Sequence, residues 1–223
     1  MQIEALCFDF DGVIADTETI WFDCMYRFCR ERNCGANWEL LLDCVGDGDV
    51  RLLAHVRELT GLEDEEILSR VRADFYDRAE HLGTRPGVHA YLDYAKASGL
   101  KLALVSNSRG PYIRRWLARL GLSDRFDCVV TRDETLPIKP APHLYLRAVQ
   151  LLGVAPNRAI AIEDSLIGLR AALSAGLCAV GFPNALSKEA MRRHFSFCFD
   201  LAEVPPETLI SCAERRYLLA EQV

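Results

Sequence analysis

No run of lysine or arginine appears anywhere in the chain, and its formal net charge is −6. A nucleic-acid binder needs a basic face, so a nucleic-acid partner is not expected. No long uninterrupted apolar stretch occurs either. The nearest approach, "SLIGLRAALSAGLCAVGF", is broken by Arg170 and by glycines, and reads as a helix, a turn and a strand rather than as a membrane span. The start, "MQIEALCFDFDG", lacks a basic segment and its apolar run is cut by acids, so it is not expected to be a signal peptide. Nine cysteines are present, but the number is odd and no CxxC pair occurs. That argues against a disulfide framework and a zinc site, and for reduced thiols in the cytoplasm. Internal repeats and low-complexity segments are absent.

What is present is the composition of an ordinary soluble domain, 50% hydrophobic and 26% charged in 223 residues. Short apolar runs recur at 3–10, 101–107, 126–131, 159–164 and 178–183, with a weaker one, "FSFCF", at 195–199. They are continuous rather than alternating, as in strands covered on both faces of a parallel sheet. Helical patterns with proline or cap residues at the start and glycine at the end lie between them: "PGVHAYLDYAKASG", "PYIRRWLARLG", "APHLYLRAVQLLG" and "DSLIGLRAALSAG", the last with Asp164 and Ser165 as cap candidates. This is the grammar of an α/β fold with a doubly wound, Rossmann-like parallel sheet. Residues 17–84 break it, since they hold amphipathic helical patterns and no convincing strand. The expected organisation is a core of 1–16 and 85–223 with an inserted all-helical cap of 17–84.

In such sheets ligands bind beyond the carboxyl ends of the strands. The first strand ends in Asp9, Asp11 and Gly12, and the second in Ser106 and Asn107. Lys139 follows the third, and the fourth ends in Glu163, Asp164 and Ser165. Unpaired buried carboxylates cost several kcal/mol. A hard cation answers that cost: Mg²⁺ is content with one or two carboxylates and favours phosphate as its remaining partner. It would neutralise Asp9 and Asp164, with Lys139 offsetting what remains. Asp9 could then attack a phosphoryl group, Asp11 could shuttle the proton, and Ser106 with backbone N–H groups near Asp11 and Asn107 could hold the phosphoryl oxygens. Taken singly, each of these groups has an ordinary alternative: a turn for Asp9 and Asp11, a solvated loop for Lys139, helix caps for Ser106, Asn107, Glu163 and Asp164.

"DFDGVIADTE", a strand ending in "VSN", "KPAP" and "IEDS", in that order, resemble the four motifs of the haloacid dehalogenase superfamily. The helical insertion after the first resembles the cap of its β-phosphoglucomutase-like phosphatase branch. The resemblance implies Asp9 as nucleophile and metal ligand, Asp11 as general acid/base with its carbonyl as a second ligand, and Ser106 as phosphoryl binder. It further implies Lys139 as the bridge between nucleophile and phosphate, Asp164 as a metal ligand, Glu163 as a ligand or its supporter, and Thr17 as the cap hinge. Asp rather than Thr at Asp11 matches the family's phosphatases and mutases and not its ion pumps.

The expected activity is a Mg²⁺-dependent phosphatase acting on a small phosphorylated metabolite, with no membrane partner and an open oligomeric state that a monomer would satisfy. A sugar phosphomutase is the alternative. In the mutases an arginine in the cap turn grips a distal phosphate; in "VGDGDVR" Asp49 stands at that place, with Arg51 two residues on, and Trp21 stands about where they have a histidine. A carboxylate there repels a second phosphate. "DGD" at 47–49 lacks the calcium-loop spacing and reads as a turn between cap helices. The superfamily's phosphonatases use a cap lysine, and 17–84 contains none. Dehalogenation does not need the Asp-x-Asp and Glu163–Asp164 pairs. A phospho-accepting signalling domain is a third class, but receivers are shorter and carry no insertion after the first strand.

Overall fold

The structure is a computed structural model that describes residues 2–42, 44, 49–132 and 135–220, without side chains at 49 and 216–220. The turn expected at 47–49 and the side chain of Asp49 therefore lie outside the described residues. Five strands form one parallel sheet: β1 (Ala5–Phe8), β2 (Lys101–Arg109), β3 (Cys128–Arg132), β4 (Ala159–Glu163) and β5 (Cys178–Gly181), in the order β3-β2-β1-β4-β5. The chain runs from β1 outward on one side and returns to β4 on the other, so the switch point lies between β1 and β4. A crevice opens there at the carboxyl edge.

The continuous apolar runs conceal an alternation of size. Ala5, Cys7, Ala103, Val105, Ala159, Ala161 and Ala179 face one side, while Leu6, Phe8, Leu102, Leu104, Ile160, Ile162 and Val180 face the other. The small face lets α7 (His143–Leu152) and α8 (Leu166–Ser174) approach closely through Ala148, Ala171 and Ala172. The large face packs against α5 (Val88–Ser98), α6 (Gly110–Arg119) and α10 (Pro206–Ala220). Phe8 is fully buried there; truncating such a ring to alanine costs about 3–5 kcal/mol.

Between β1 and β2 the described chain is helical: α1 (Thr17–Glu31), α2 (Trp38–Leu42), α3 (Asp49–Thr60), α4 (Asp64–Arg78) and a 3₁₀ turn at Ala79–His81. α4 touches α6 of the sheet's helical layer through Phe75 and Trp116, ring centroids 6.4 Å apart. Asp16 rather than Thr17 is the N-cap of α1; its carboxylate accepts from the Thr19 N–H.

Two expectations are corrected. The run 195–199 does not form a strand; it makes one isolated bridge, Gly181 to Cys198, since the Gly181 backbone takes both of its hydrogen bonds there, with Phe197 and Phe199. The helices α9 (Lys188–His194) and α10 follow β5 without having been read from the sequence. Of the two cap candidates for α8, Ser165 serves: its hydroxyl accepts from the Gly168 N–H, whereas the Asp164 side chain turns to Asn184. Among the described residues no helix is long and apolar enough to cross a membrane.

Candidate active site

Register brings the carboxylates together. Phe8 pairs with Leu104 and with Ile162, so the next residues, Asp9, Val105 and Glu163, stand level at the sheet's carboxyl edge. Lys139, in the loop between β3 and α7, reaches into that level. It is only 4% exposed, and its Nζ donates to Asp9 Oδ1 at 2.7 Å, Glu163 Oε1 at 2.6 Å and the Val105 carbonyl at 2.6 Å. Both carboxylates hold the ammonium in its charged form and push its pKa up against the opposing effect of burial.

Asn107 grips the Lys139 backbone at both ends: its Oδ1 accepts from the Lys139 N–H at 2.9 Å and its Nδ2 donates to the Lys139 carbonyl at 3.2 Å. The Asn107 side chain thus positions the lysine, and its contribution toward a phosphate is left to the backbone. Ser106 is buried, with Oγ accepting from the Ser108 N–H at 2.9 Å, where the β2–β3 register shifts.

Glu163 is fully buried. Its Oε1 accepts from Lys139 and from the Tyr145 hydroxyl, while Oε2 has no hydrogen-bond partner among the described residues and lies against Gly168. A Cβ at Gly168 would fall 1.9 Å from that oxygen, so only glycine leaves the space. Asp164 Oδ2 accepts from Asn184 Nδ2 at 2.7 Å, and the same amide donates to Glu18 Oε2 at 3.2 Å. Gly12, at φ +80°, closes this corner: a Cβ there would sit 1.7 Å from Asp164 Oδ2. Asp11 is held separately. Its Oδ1 accepts from the Thr17 hydroxyl at 2.7 Å and the Tyr112 hydroxyl at 3.0 Å, and its Oδ2 from the Ser108 hydroxyl at 2.6 Å. Burial, then the charge of Asp11, push the Tyr112 phenol far up, so it remains a donor.

The donor set fits a hard divalent cation. Ligand oxygens of Asp9, Glu163 and Asp164 all lie within 4.8 Å of one another, and all three residues are buried. Burial raises the pKa of Asp9 well above 3.8, Lys139 opposes it, and Glu163 and Asp11 add to it. Asp164 is raised by burial, then by Glu18, Asp9 and Glu163. Carboxyl groups driven toward neutrality by desolvation and mutual repulsion are relieved by a cation with oxygen affinity. Asp9 and Glu163 each commit one oxygen to Lys139, and Tyr145 shares the one on Glu163.

The pattern of the haloacid dehalogenase-like hydrolases matches residues 6–182. The chain belongs to the haloacid dehalogenase-like hydrolase family. Among its relatives in this family, YhcW of Bacillus subtilis is 37% identical over 193 residues, 85% of this chain and 88% of that one. The phosphorylated carbohydrates phosphatase of Thermotoga maritima is 32% identical over 178 residues, 78% of this chain and 82% of its own. A mutant of CbbY from Rhodobacter sphaeroides, solved with xylulose-1,5-bisphosphate, is 26% identical with a TM-score of 0.71, covering 91% of this chain and 96% of that one. A β-phosphoglucomutase from Clostridium difficile shares the fold, with a TM-score of 0.76 at 23% identity over 98% of this chain and 100% of its own. The sequence resemblance to the haloacid dehalogenase superfamily, with a capped α/β fold like that of its β-phosphoglucomutase branch, thus holds, and the chain is a phosphatase of this haloacid dehalogenase-like family.

Every site residue named from the sequence falls at this edge or on α1 beside it. Glu18, Ser108, Tyr112, Tyr145 and Asn184 were not named. Asn184 had a signal, since it lies just past the fifth strand, after Phe182 and Pro183, at the same carboxyl edge. Tyr112 and Tyr145 had none, because they lie inside helical patterns where an aromatic residue reads as core. Arg85 also was missed. Its guanidinium lies 3.6 Å over the Phe182 ring and donates to the carbonyls of Gly12, Phe182 and Pro183, tying the first strand's loop to the fifth's.

Proposed function

We propose that the protein is a Mg²⁺-dependent phosphatase that hydrolyses a small phosphomonoester, a sugar phosphate or similar metabolite, through an aspartyl phosphate on Asp9. The observation that carries this reading is the buried Lys139 ammonium shared by Asp9 and Glu163, with Asp164 within reach of the same point. Asp9, Asp164 and the Asp11 carbonyl would hold Mg²⁺, which supplies charge neutralisation on the transferring phosphoryl group.

Asp9 attacks phosphorus in line. Lys139 keeps the attacking carboxylate oriented and shares its charge with the phosphoryl oxygens, which the Ser106 hydroxyl and the Asn107 N–H also bind. Asp11 gives a proton to the departing alcohol and then takes one from the water that cleaves the acyl phosphate. Thr17, beside Asp11 at the start of α1, is the hinge on which a cap of 17–84 closes over a core of 1–16 and 85–223 and excludes bulk water. The substrate class rests on the Thermotoga maritima phosphatase and the Rhodobacter sphaeroides complex. The odd cysteine number favours the cytoplasm as the setting.

The test is a phosphate-release screen over phosphorylated metabolites with Mg²⁺. Release that needs Mg²⁺ and disappears in Asp9→Asn supports the reading. Turnover of p-nitrophenyl phosphate without a metal overturns it, and isomerised sugar phosphate without free phosphate would instead identify a mutase.

A further inference from the structure

Asp11 differs from the other acids of the site in the kind of partner it keeps. Asp9 is bound by an ammonium, Asp164 by an amide, and Glu163 by an ammonium and a phenol. Asp11 is bound by three hydroxyls, those of Thr17, Ser108 and Tyr112. The distinction matters because a hydroxyl both donates and accepts. It gives a hydrogen bond to a carboxylate and, after rotation of its O–H, accepts one from a carboxylic acid. An ammonium or an amide N–H only donates, and so favours the charged state alone. A group that gives up a proton and takes one back within a single cycle needs partners that serve both states.

Tyr112 is fixed by an aromatic cluster. Its ring packs edge-on to Phe10 at 6.3 Å and 85°, and against Trp116 at 6.3 Å and 69°. Phe10 is itself packed on Trp116 and lies between Asp9 and Asp11 in the chain, so one aromatic cluster fixes the backbone that carries Asp11 and the hydroxyl that meets its carboxyl group. The other hydroxyls come from the start of α1 and from the irregular end of β2.

We propose that Tyr112, together with Ser108, is a positioning residue that holds the Asp11 carboxyl group in one orientation, for proton transfer to the leaving oxygen. The inference rests on the reading of Asp11 as acid and base. It does not require Tyr112 to touch the substrate. Its consequence is selective: the cage matters where the leaving group must be protonated and matters little where it need not be.

The experiment compares an alkyl phosphate that the wild type hydrolyses, such as glycerol 2-phosphate, with p-nitrophenyl phosphate, whose leaving group departs without a proton. Tyr112→Phe is expected to lower kcat on the alkyl ester roughly tenfold, the order of one lost hydrogen bond to a charged group. The loss on the aryl ester is expected to be several-fold smaller, with both KM values and the thermal midpoint close to those of the wild type. Equal losses on the two esters, or none on either, overturn the proposal. Should Tyr112→Phe fail to fold, Ser108→Ala removes the donor to the other carboxyl oxygen and must show the same split; its absence overturns the proposal as well. Asp11→Asn serves as the separate check. If it hydrolyses the alkyl ester at the wild-type rate, the acid/base reading falls and the proposal with it. If Asp11→Asn fails on that ester while Tyr112→Phe and Ser108→Ala show no split, only the positioning role is lost.

Discussion

Replacing Lys139 by methionine keeps an unbranched side chain, shorter by the terminal atom, and removes its charge. The ammonium has three short contacts, to Asp9, Glu163 and the Val105 carbonyl, and all three acceptors lose it at once. Breaking a buried ion pair by removing one partner costs about 3–5 kcal/mol. Part of this is recovered because the stranded carboxyls take up protons, a course on which burial has already set Asp9. A net loss of about 3 kcal/mol in a chain of this size lowers the thermal midpoint by about 6–12 °C. The loss should be smaller near pH 5, where a protonated carboxyl has no charge to strand. The assay is a set of calorimetric melts of Lys139→Met, Glu163→Gln and the double variant, without divalent cation. The double variant should lose less than the sum of the singles by about 1–3 kcal/mol, because each removes what the other leaves unpaired. Strictly additive losses, or a Lys139→Met midpoint within a degree or two of the wild type, would refute the reasoning.

Two further outcomes follow from the same geometry. Gly12→Ala should destabilise by well over the roughly 1–2 kcal/mol of left-handed backbone strain, since its Cβ would meet Asp164 Oδ2 at 1.7 Å, whereas Gly61→Ala, at φ +67° with open space around it, should cost the strain alone; equal costs in denaturant unfolding would dismiss the contact. Because folding raises the pKa of Asp9 and Asp164 above the ordinary 3.8, the metal-free folded state binds more protons than the unfolded chain, and its stability falls as pH rises through the window above 3.8. Mg²⁺ competes with those protons, so its gain in thermal midpoint should be larger at about pH 8 than at about pH 5.5; a gain independent of pH would count against these carboxylates as the ligands.

The sheet was legible because its strands are buried on both faces and so read as unbroken apolar runs. Which way each run faces was also written there, in the alternation of alanine and cysteine with leucine, isoleucine and phenylalanine. The run 195–199 misled because aromatic content imitates a strand, whereas among the described residues only Cys198 makes a bridge to β5, at Gly181. The rim residues Asp9, Asp11, Ser106, Lys139 and Asp164 were legible because strand ends in a parallel sheet share one edge. Their partners were not. Tyr145 reaches Glu163 from the first turn of α7, Tyr112 reaches Asp11 from the first turn of α6, and the double grip of Asn107 on the Lys139 backbone joins the end of β2 to the loop before α7. Such contacts depend on how helices settle on the sheet, which a single sequence does not state.

The central claim is that Asp9 carries the phosphoryl group during turnover. Borohydride added to the enzyme in the presence of substrate and Mg²⁺ reduces an aspartyl phosphate to homoserine, which peptide mass spectrometry locates. The account predicts homoserine at residue 9, dependent on substrate and Mg²⁺ and absent from Asp9→Asn, which should also release no phosphate. Homoserine at another aspartate, or phosphate release by Asp9→Asn at the wild-type rate, would contradict it.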